Sequence, residues 1–444
     1  MAEPIGPTRA AHGRMNQPGA VEIVPCPAWE PVLNGTERDT ALTVVDEIAV
    51  ALLRLPADEA SLAAGSTGRA LLHARLANDD DQRDAALSCL RHALPQLRTR
   101  GGPASLYAGA AGIGWVLTHL EGDLLDERDR CAGLDRALLR LLDRQPWPGR
   151  FDLVSGLVGL GVYALERLDV PEGPDLLERV VLRLAETAVR DGDDVYWWTP
   201  PHWLIEQART ASPTGHIDLG LAHGVPGPIA LLGAACATGV ASDLARGLLD
   251  GAVGWLLREA ANTERLSYSW QPGREPSPAR TAWCYGEPGV AAALLIAARG
   301  AGEPAWEEDA LRLARRAATR SLADSGVVDA GVCHGASGLG LTFARLHHAT
   351  GDRELGEAAR CWFEHTLELR QPGAGIAGFI TEGVNGPTED PGLLVGATGI
   401  ALALHAAASD HEPTWDRLLL LSATPATSGA GTTAARPSMK GAHV

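Results

Sequence analysis

The chain has 444 residues, 45% of them hydrophobic and 21% charged, enough apolar material for one large core or two ordinary domains. A formal net charge of −17 argues against a general nucleic-acid or membrane-surface binder, because both need a basic face. Seven scattered cysteines do not make a disulfide framework and point to a reducing cytoplasm, and no apolar run approaches the ~18 residues of a membrane span.

The first residues, Met1-Ala2-Glu3-Pro4, lack the basic and then apolar pattern of a secretory signal. Residues 1–38 are expected to be a flexible segment and 422–444 a disordered tail, both with little to bury. The span 39–421 is read as one domain. Aromatics make up only 5% of the chain, so Ala and Leu must fill its interior, which favours close-packed helices over sheets.

Along that span one phrase recurs seven times: small or apolar residues, then Gly-x-x-Gly, then an apolar run. In chain order the glycine pairs are Gly65/Gly68, Gly109/Gly112, Gly156/Gly159, Gly224/Gly227, Gly286/Gly289, Gly335/Gly338 and Gly396/Gly399. The first glycines are 44, 47, 68, 62, 49 and 61 residues apart, a spacing that marks a repeat architecture. The runs after the glycines are apolar nearly all round, as buried helices are. Between them lie amphipathic segments, such as Leu177, Val180, Val181, Leu184 and Ala188, or Leu311, Ala314, Ala318 and Leu322. Each repeat is thus a buried helix entered by a Gly-rich loop plus a half-exposed helix. The first and last repeats are as apolar as the others, so they do not read as the polar caps of an open solenoid. The expected fold is all-α: an α/α toroid of seven inner and seven outer helices. The Gly-rich loops would gather at one mouth, with free helix N–H groups making it favourable to anions. Tyr196, Trp197, Trp198 and Trp203 lie in the longest gap, either as a grip for a peptide or as a loop packed on itself.

Aligned on the first glycine, the preceding residue is Ala64, Ala108, Ser155, His223, Tyr285, His334 and Val395. The one before that is Ala63, Tyr107, Val154, Ala222, Cys284, Cys333 and Leu394. Three consecutive copies therefore carry chemistry-bearing residues. Equivalent positions in neighbouring repeats lie side by side, which brings Cys284, Cys333 and His334 together. Two thiolates and an imidazole suit zinc and leave one tetrahedral position open, as catalytic sites do. A Cys284–Cys333 disulfide is the alternative. Cys26, Cys89, Cys131, Cys236 and Cys361 read as small hydrophobes.

Gly220-Leu-Ala-His223-Gly224, Trp283-Cys284-Tyr285-Gly286-x-x-Gly289 and Cys333-His334-Gly335 resemble the LanC family of lanthipeptide cyclases and LanC-like proteins. The resemblance covers about residues 40–410. It implies an α/α toroid with one zinc ion held by Cys284, Cys333 and His334. It also implies addition of a cysteine thiol of a dehydrated precursor peptide to dehydroalanine or dehydrobutyrine, giving lanthionine or methyllanthionine. By the same match His223 is the acid/base histidine, Asp152 an aspartate near the site, and Arg280 and Tyr285 residues around the metal motif. The chemistry agrees: His223 titrates near the working pH, Asp152 can orient it, and Arg280 and Tyr285 can donate to an enolate oxygen. As alternatives, Asp152 is a helix cap and Arg280 a surface ion pair. The repeats consume the whole folded length, so a separate dehydratase would have to prepare the peptide. The sequence leaves three rivals. One is a LanC-like protein that adds glutathione or another thiol to dehydrated peptides. Another is a toroidal glycosidase or isomerase, which would want paired carboxylates. The third is a non-catalytic peptide-binding partner of a dehydratase.

Overall fold

The first glycine of each phrase is where a helix begins, because it lets the backbone turn against itself. A side chain at Gly224 would run into the carbonyl of Asp218, and one at Gly338 into the carbonyl of Val332. The first glycine thus packs on the peptide six residues earlier and the second on the peptide at the matching place in its own loop. The computed structural model describes residues 28–98, 102–383 and 386–422.

The seven inner helices are Ser66–Arg75, Ala110–His119, Leu157–Glu166, Pro226–Thr238, Glu287–Ala301, Ala336–Thr350 and Ala397–Ala408. The seven outer helices are Gly35–Leu53, Asp80–Ala93, Ala132–Leu142, Glu172–Thr187, Ser242–Ala261, Pro304–Ala318 and Arg353–Glu368. Inner helices pack in chain order, and the seventh returns to the first. The first outer helix, in turn, packs on the last inner one. The ring is closed, as the apolar ends of the repeat series require, and the fold is an α/α toroid.

The outer helices bury one face. In Glu172–Thr187 it carries Leu177, Val180, Val181 and Leu184, as the periodicity predicts. In Pro304–Ala318 the fully buried face is Ala310, Leu313, Ala314 and Ala317, one position off the predicted stripe, and Leu322 lies beyond the helix in a separate short turn. Arginine stems on either side of a narrow alanine stripe blur its register in the sequence.

The toroid begins earlier than residue 39. The first outer helix starts at Gly35, and the residues before it are stitched to the end of the last inner helix. Trp29 Nε1 donates to the Ala406 carbonyl at 2.9 Å and Leu33 N–H to that of Ala407 at 3.0 Å. Of the expected flexible segment, residues 1–27 lie outside the described residues, and so does the expected tail apart from Ser422.

Two further features were not visible in the repeat pattern. Among the described residues three two-stranded antiparallel pairings decorate the ring: Val189–Asp191 with Asp194–Tyr196, Ile217–Asp218 with Ser269–Trp270, and Thr381–Gly383 with Gly386–Thr388. A 3-10 turn, Thr414–Leu419, runs among the inner helices, where Leu418, Leu419 and Leu420 are buried. It is pinned by Tyr107 Oη on the Leu418 carbonyl (2.9 Å), Trp283 Nε1 on that of Leu419 (2.8 Å), and ion pairs of Asp416 with Arg345 and Arg417 with Glu166. The aromatic cluster in the long gap packs on the body. Trp197 is fully buried and donates to the Leu184 carbonyl, and Tyr196 packs tilted against Trp255 with ring centroids 5.5 Å apart. No helix among the described residues is long and apolar enough to cross a membrane.

Candidate active site

Neighbouring Gly-rich loops are laced by backbone hydrogen bonds at the position two before the first glycine. Ala222 N–H donates to Cys284 (3.3 Å), Cys284 N–H to Cys333 (3.2 Å), Cys333 N–H to Leu394 (2.7 Å) and Leu394 N–H to Ala63 (3.1 Å), each to the carbonyl. Ala63 N–H continues the series to Tyr107 at 2.9 Å. This lacing fixes the register between repeats and places Cys284 beside Cys333.

The ligand atoms of Cys284, Cys333 and His334 all lie within 4.8 Å of one another. Cys284 is buried, whereas Cys333 and His334 are half-buried. The six cysteines among the described residues, Cys284 and Cys333 included, are unbridged. The neighbouring Cys333 thiol pulls Cys284 down, against the cost of burial, with help from His334 and Arg280. Cys333 rises in response, so the pair favours a single shared negative charge. The sulfur pair beside an imidazole pushed upward by Cys284 is a donor set for a soft or borderline divalent cation.

His223 stands on the adjacent loop. Its Nδ1 lies 3.1 Å from Asp152 Oδ2. Burial alone would lower the His223 pKa; the hydrogen bond and charge of Asp152 outweigh it, with Asp218 and Cys284 adding, and the net shift is upward. Asp152 is itself buried, and its Oδ1 accepts the Ser155 N–H at 2.6 Å. It therefore both caps its loop and faces the histidine. Arg280 is half-buried, with its Nε on Tyr268 Oη at 3.2 Å, and lies near enough to Cys284 and Cys333 to feel their charge. It is not a surface ion pair. The Tyr285 hydroxyl is committed to Asp218 Oδ2 at 2.8 Å.

Asp218 is a site residue that the two-position alignment missed. Six residues before the first glycine stand Asp218, Asp329 and Asp390 in their repeats. Each carboxylate accepts the N–H two residues on, at Gly220 (2.8 Å), Gly331 (3.0 Å) and Gly392 (2.6 Å). This Asp-x-Gly turn was readable had the frame been extended. Asp329 Oδ2 also lies 4.0 Å from His334 Nε2, too far for a hydrogen bond but close enough to act on the charge of the ring.

Some of the expected free N–H groups at the mouth are taken up by the loops themselves. Ser66 N–H donates to the Glu59 carbonyl, Ala110 to Pro103, Val225 to Asp218 and Ala336 to Asp329. In these four repeats the loop that carries the glycine takes up an N–H at the start of its helix. Paired carboxylates of the glycosidase kind are not seen among the described residues here: Glu287 is fully buried under Arg320 and Arg316.

The lanthionine synthetase C-like protein family matches residues 56–420. The nisin biosynthesis protein NisC of Lactococcus lactis subsp. lactis is 25% identical over 308 residues, which are 63% of this chain and 72% of that protein. A solved structure of nisin cyclase aligns with a TM-score of 0.68 at 22% sequence identity, covering 87% of this chain and 97% of that one, which shows a shared fold. The family match spans nearly the whole toroid and includes every loop of the mouth, and the chain belongs to the lanthionine synthetase C-like family.

Proposed function

We propose that the chain is a zinc-dependent cyclase that adds cysteine thiols of a dehydrated precursor peptide to dehydroalanine or dehydrobutyrine, closing lanthionine or methyllanthionine rings. The convergence of Cys284, Cys333 and His334 within 4.8 Å carries this reading, with His223 on the next loop. These three residues would hold one zinc ion. When bound, zinc with such ligands offers an open position that favours the thiolate form of an incoming thiol.

In the reaction the thiol hydrogen leaves sulfur, a C–S bond forms at the β-carbon, and a proton is added at the α-carbon, so no atom is lost. His223 delivers that proton, and Asp152 holds its ring in place and its charge in balance. Arg280 faces the charge that develops on the enolate oxygen. Tyr285 acts through Asp218, keeping the Cys284 loop beside the His223 loop. A separate dehydratase supplies the unsaturated residues. A reducing cytoplasm keeps the metal-binding thiols unbridged.

The test is metal content beside ring closure. Purified protein should carry one zinc per chain, and both Cys284→Ala and Cys333→Ala should lose it. A dehydrated, cysteine-containing peptide should lose its alkylatable thiol without change of mass when incubated with the wild type. A metal-free wild type prepared without chelators, or a peptide thiol that stays alkylatable, overturns the proposal.

A further inference from the structure

Beside the mouth lies a cleft of about 650 Å³, walled by the Ile217–Asp218 and Ser269–Trp270 pairing, the short helix Glu206–Ala211 and the end of outer helix Ser242–Ala261. It reaches the candidate active site through Tyr285, which lines it and follows Cys284 directly in sequence. The cleft is built for a polar guest. Glu259 is half-buried and Glu275 exposed on its walls, and neither carboxylate has a hydrogen bond or ion pair among the described residues. Arg274, the cation on this wall, spends its guanidinium on the Ala211 carbonyl. Tyr268 and Trp270 supply aromatic faces.

A second observation comes from the polar groups behind these walls. Ser267 and His216, each more than nine-tenths buried, line the cleft; among the described residues Ser267 Oγ has no hydrogen-bond partner, and His216 Nε2 has only Asp218 Oδ2 at 3.7 Å, beyond hydrogen-bond reach. Unsatisfied buried polar atoms are uncommon and mark places completed by a ligand or by water. Here they line the same cleft as Glu259 and Glu275.

We propose that this cleft binds a lysine or arginine side chain of the substrate peptide, close in sequence to the reacting cysteine. The cation pairs with Glu259 and Glu275 and lies over Trp270, while the peptide backbone passes Tyr285 toward the sulfur pair. The carboxylates select the charge, and the distance to the mouth selects which cysteine reacts. The proposal rests on the cyclase reading for the identity of the ligand as substrate, but its test does not require turnover.

The probe is a set of labelled synthetic peptides with one cysteine and no dehydro residue. A single lysine is moved residue by residue along either side, and a glutamine series serves as control. Binding to the full-length protein is read by fluorescence anisotropy. Lysine at one or two positions should tighten binding about 5- to 10-fold over glutamine, the worth of one charge-assisted contact. The gain should vanish in Glu259→Gln and in Glu275→Lys and shrink as salt is raised. Glu275 is exposed, so its variant folds even if the Glu259 variant does not. Equal affinity at every lysine position, or a lysine preference that survives in Glu275→Lys, overturns the proposal. Because these peptides cannot cyclise, position-dependent binding without ring closure on the dehydrated peptide would strike only the cyclase reading. Ring closure that ignores lysine would strike only this one.

Discussion

The Tyr285 hydroxyl donates to Asp218 Oδ2 at 2.8 Å while Asp218 Oδ1 accepts the Gly220 N–H at 2.8 Å, so one carboxylate ties the Cys284 loop to the His223 loop. Removing the carboxylate should therefore hurt more than removing the hydroxyl. Asp218→Ala leaves two donors without a partner and should cost about 1–3 kcal/mol, whereas Tyr285→Phe loses one hydrogen bond, about 0.5–1.5 kcal/mol. Denaturant midpoints of both variants and of the double variant read the coupling between them. Additive losses would mean that the two side chains act separately.

Asp152→Asn should slow ring closure by about 10²–10⁴-fold with zinc content unchanged. The pH profile gives the sharper readout. Asp152 raises the His223 pKa, so the protonated, proton-donating form persists to higher pH in the wild type. Activity that needs this form falls as pH rises through that pKa. Without the carboxylate the alkaline limb should move to lower pH; a limb that stays in place assigns the proton to another group.

Glu287 is fully buried and accepts from Arg320, from Arg316 at 3.2 Å and from the Leu266 N–H at 3.1 Å. Burial alone would raise its pKa, but Arg320 outweighs burial and holds it below the ordinary carboxylate value. The folded chain thus binds this proton less readily than the unfolded one. Its stabilisation is complete above the ordinary carboxyl pKa and is lost as pH falls through the lowered one. Glu287→Ala, which strands two arginines, should cost about 3–5 kcal/mol in urea unfolding, and Glu287→Gln less.

His405, near the end of the last inner helix, is pushed down to about 4 by burial, with Arg75 and His411 adding. Its unfolded value is about 6.5. Between these values the unfolded chain takes up a proton that the folded chain refuses, so stability falls as pH drops from about 6.5 toward 4. The loss, discounted for partial exposure, should be about 2 kcal/mol. His405→Gln should flatten this part of a stability–pH curve measured by denaturant titration; an unchanged slope would place the proton elsewhere.

The ring was legible because its signal is local. Gly224 and Gly338 are glycines for contacts within their own loops, so the reason for each is written within a few residues. The sulfur pair was legible because repeats side by side in the ring are also successive in the chain, and the alignment compared like positions. Asp218 escaped because it sits four residues upstream of the aligned pair, and its partner Tyr285 is a repeat away. The turn Thr414–Leu419 escaped for another reason. A run of four leucines, Leu418 to Leu421, is too short to show a period, and its partners Tyr107 and Trp283 come from distant repeats.

That turn also sets an order of events. Trp283, which precedes Cys284, hangs from the Leu419 carbonyl 136 residues later, and Tyr107 from Leu418 across 311 residues. During synthesis the loop of Cys284 therefore emerges well before the segment that steadies it. Contacts of such long span slow folding. Until that turn has left the ribosome, Trp283 and Tyr107 lack these two acceptors, and the loop of Cys284 waits on the far end of the toroid for its anchor.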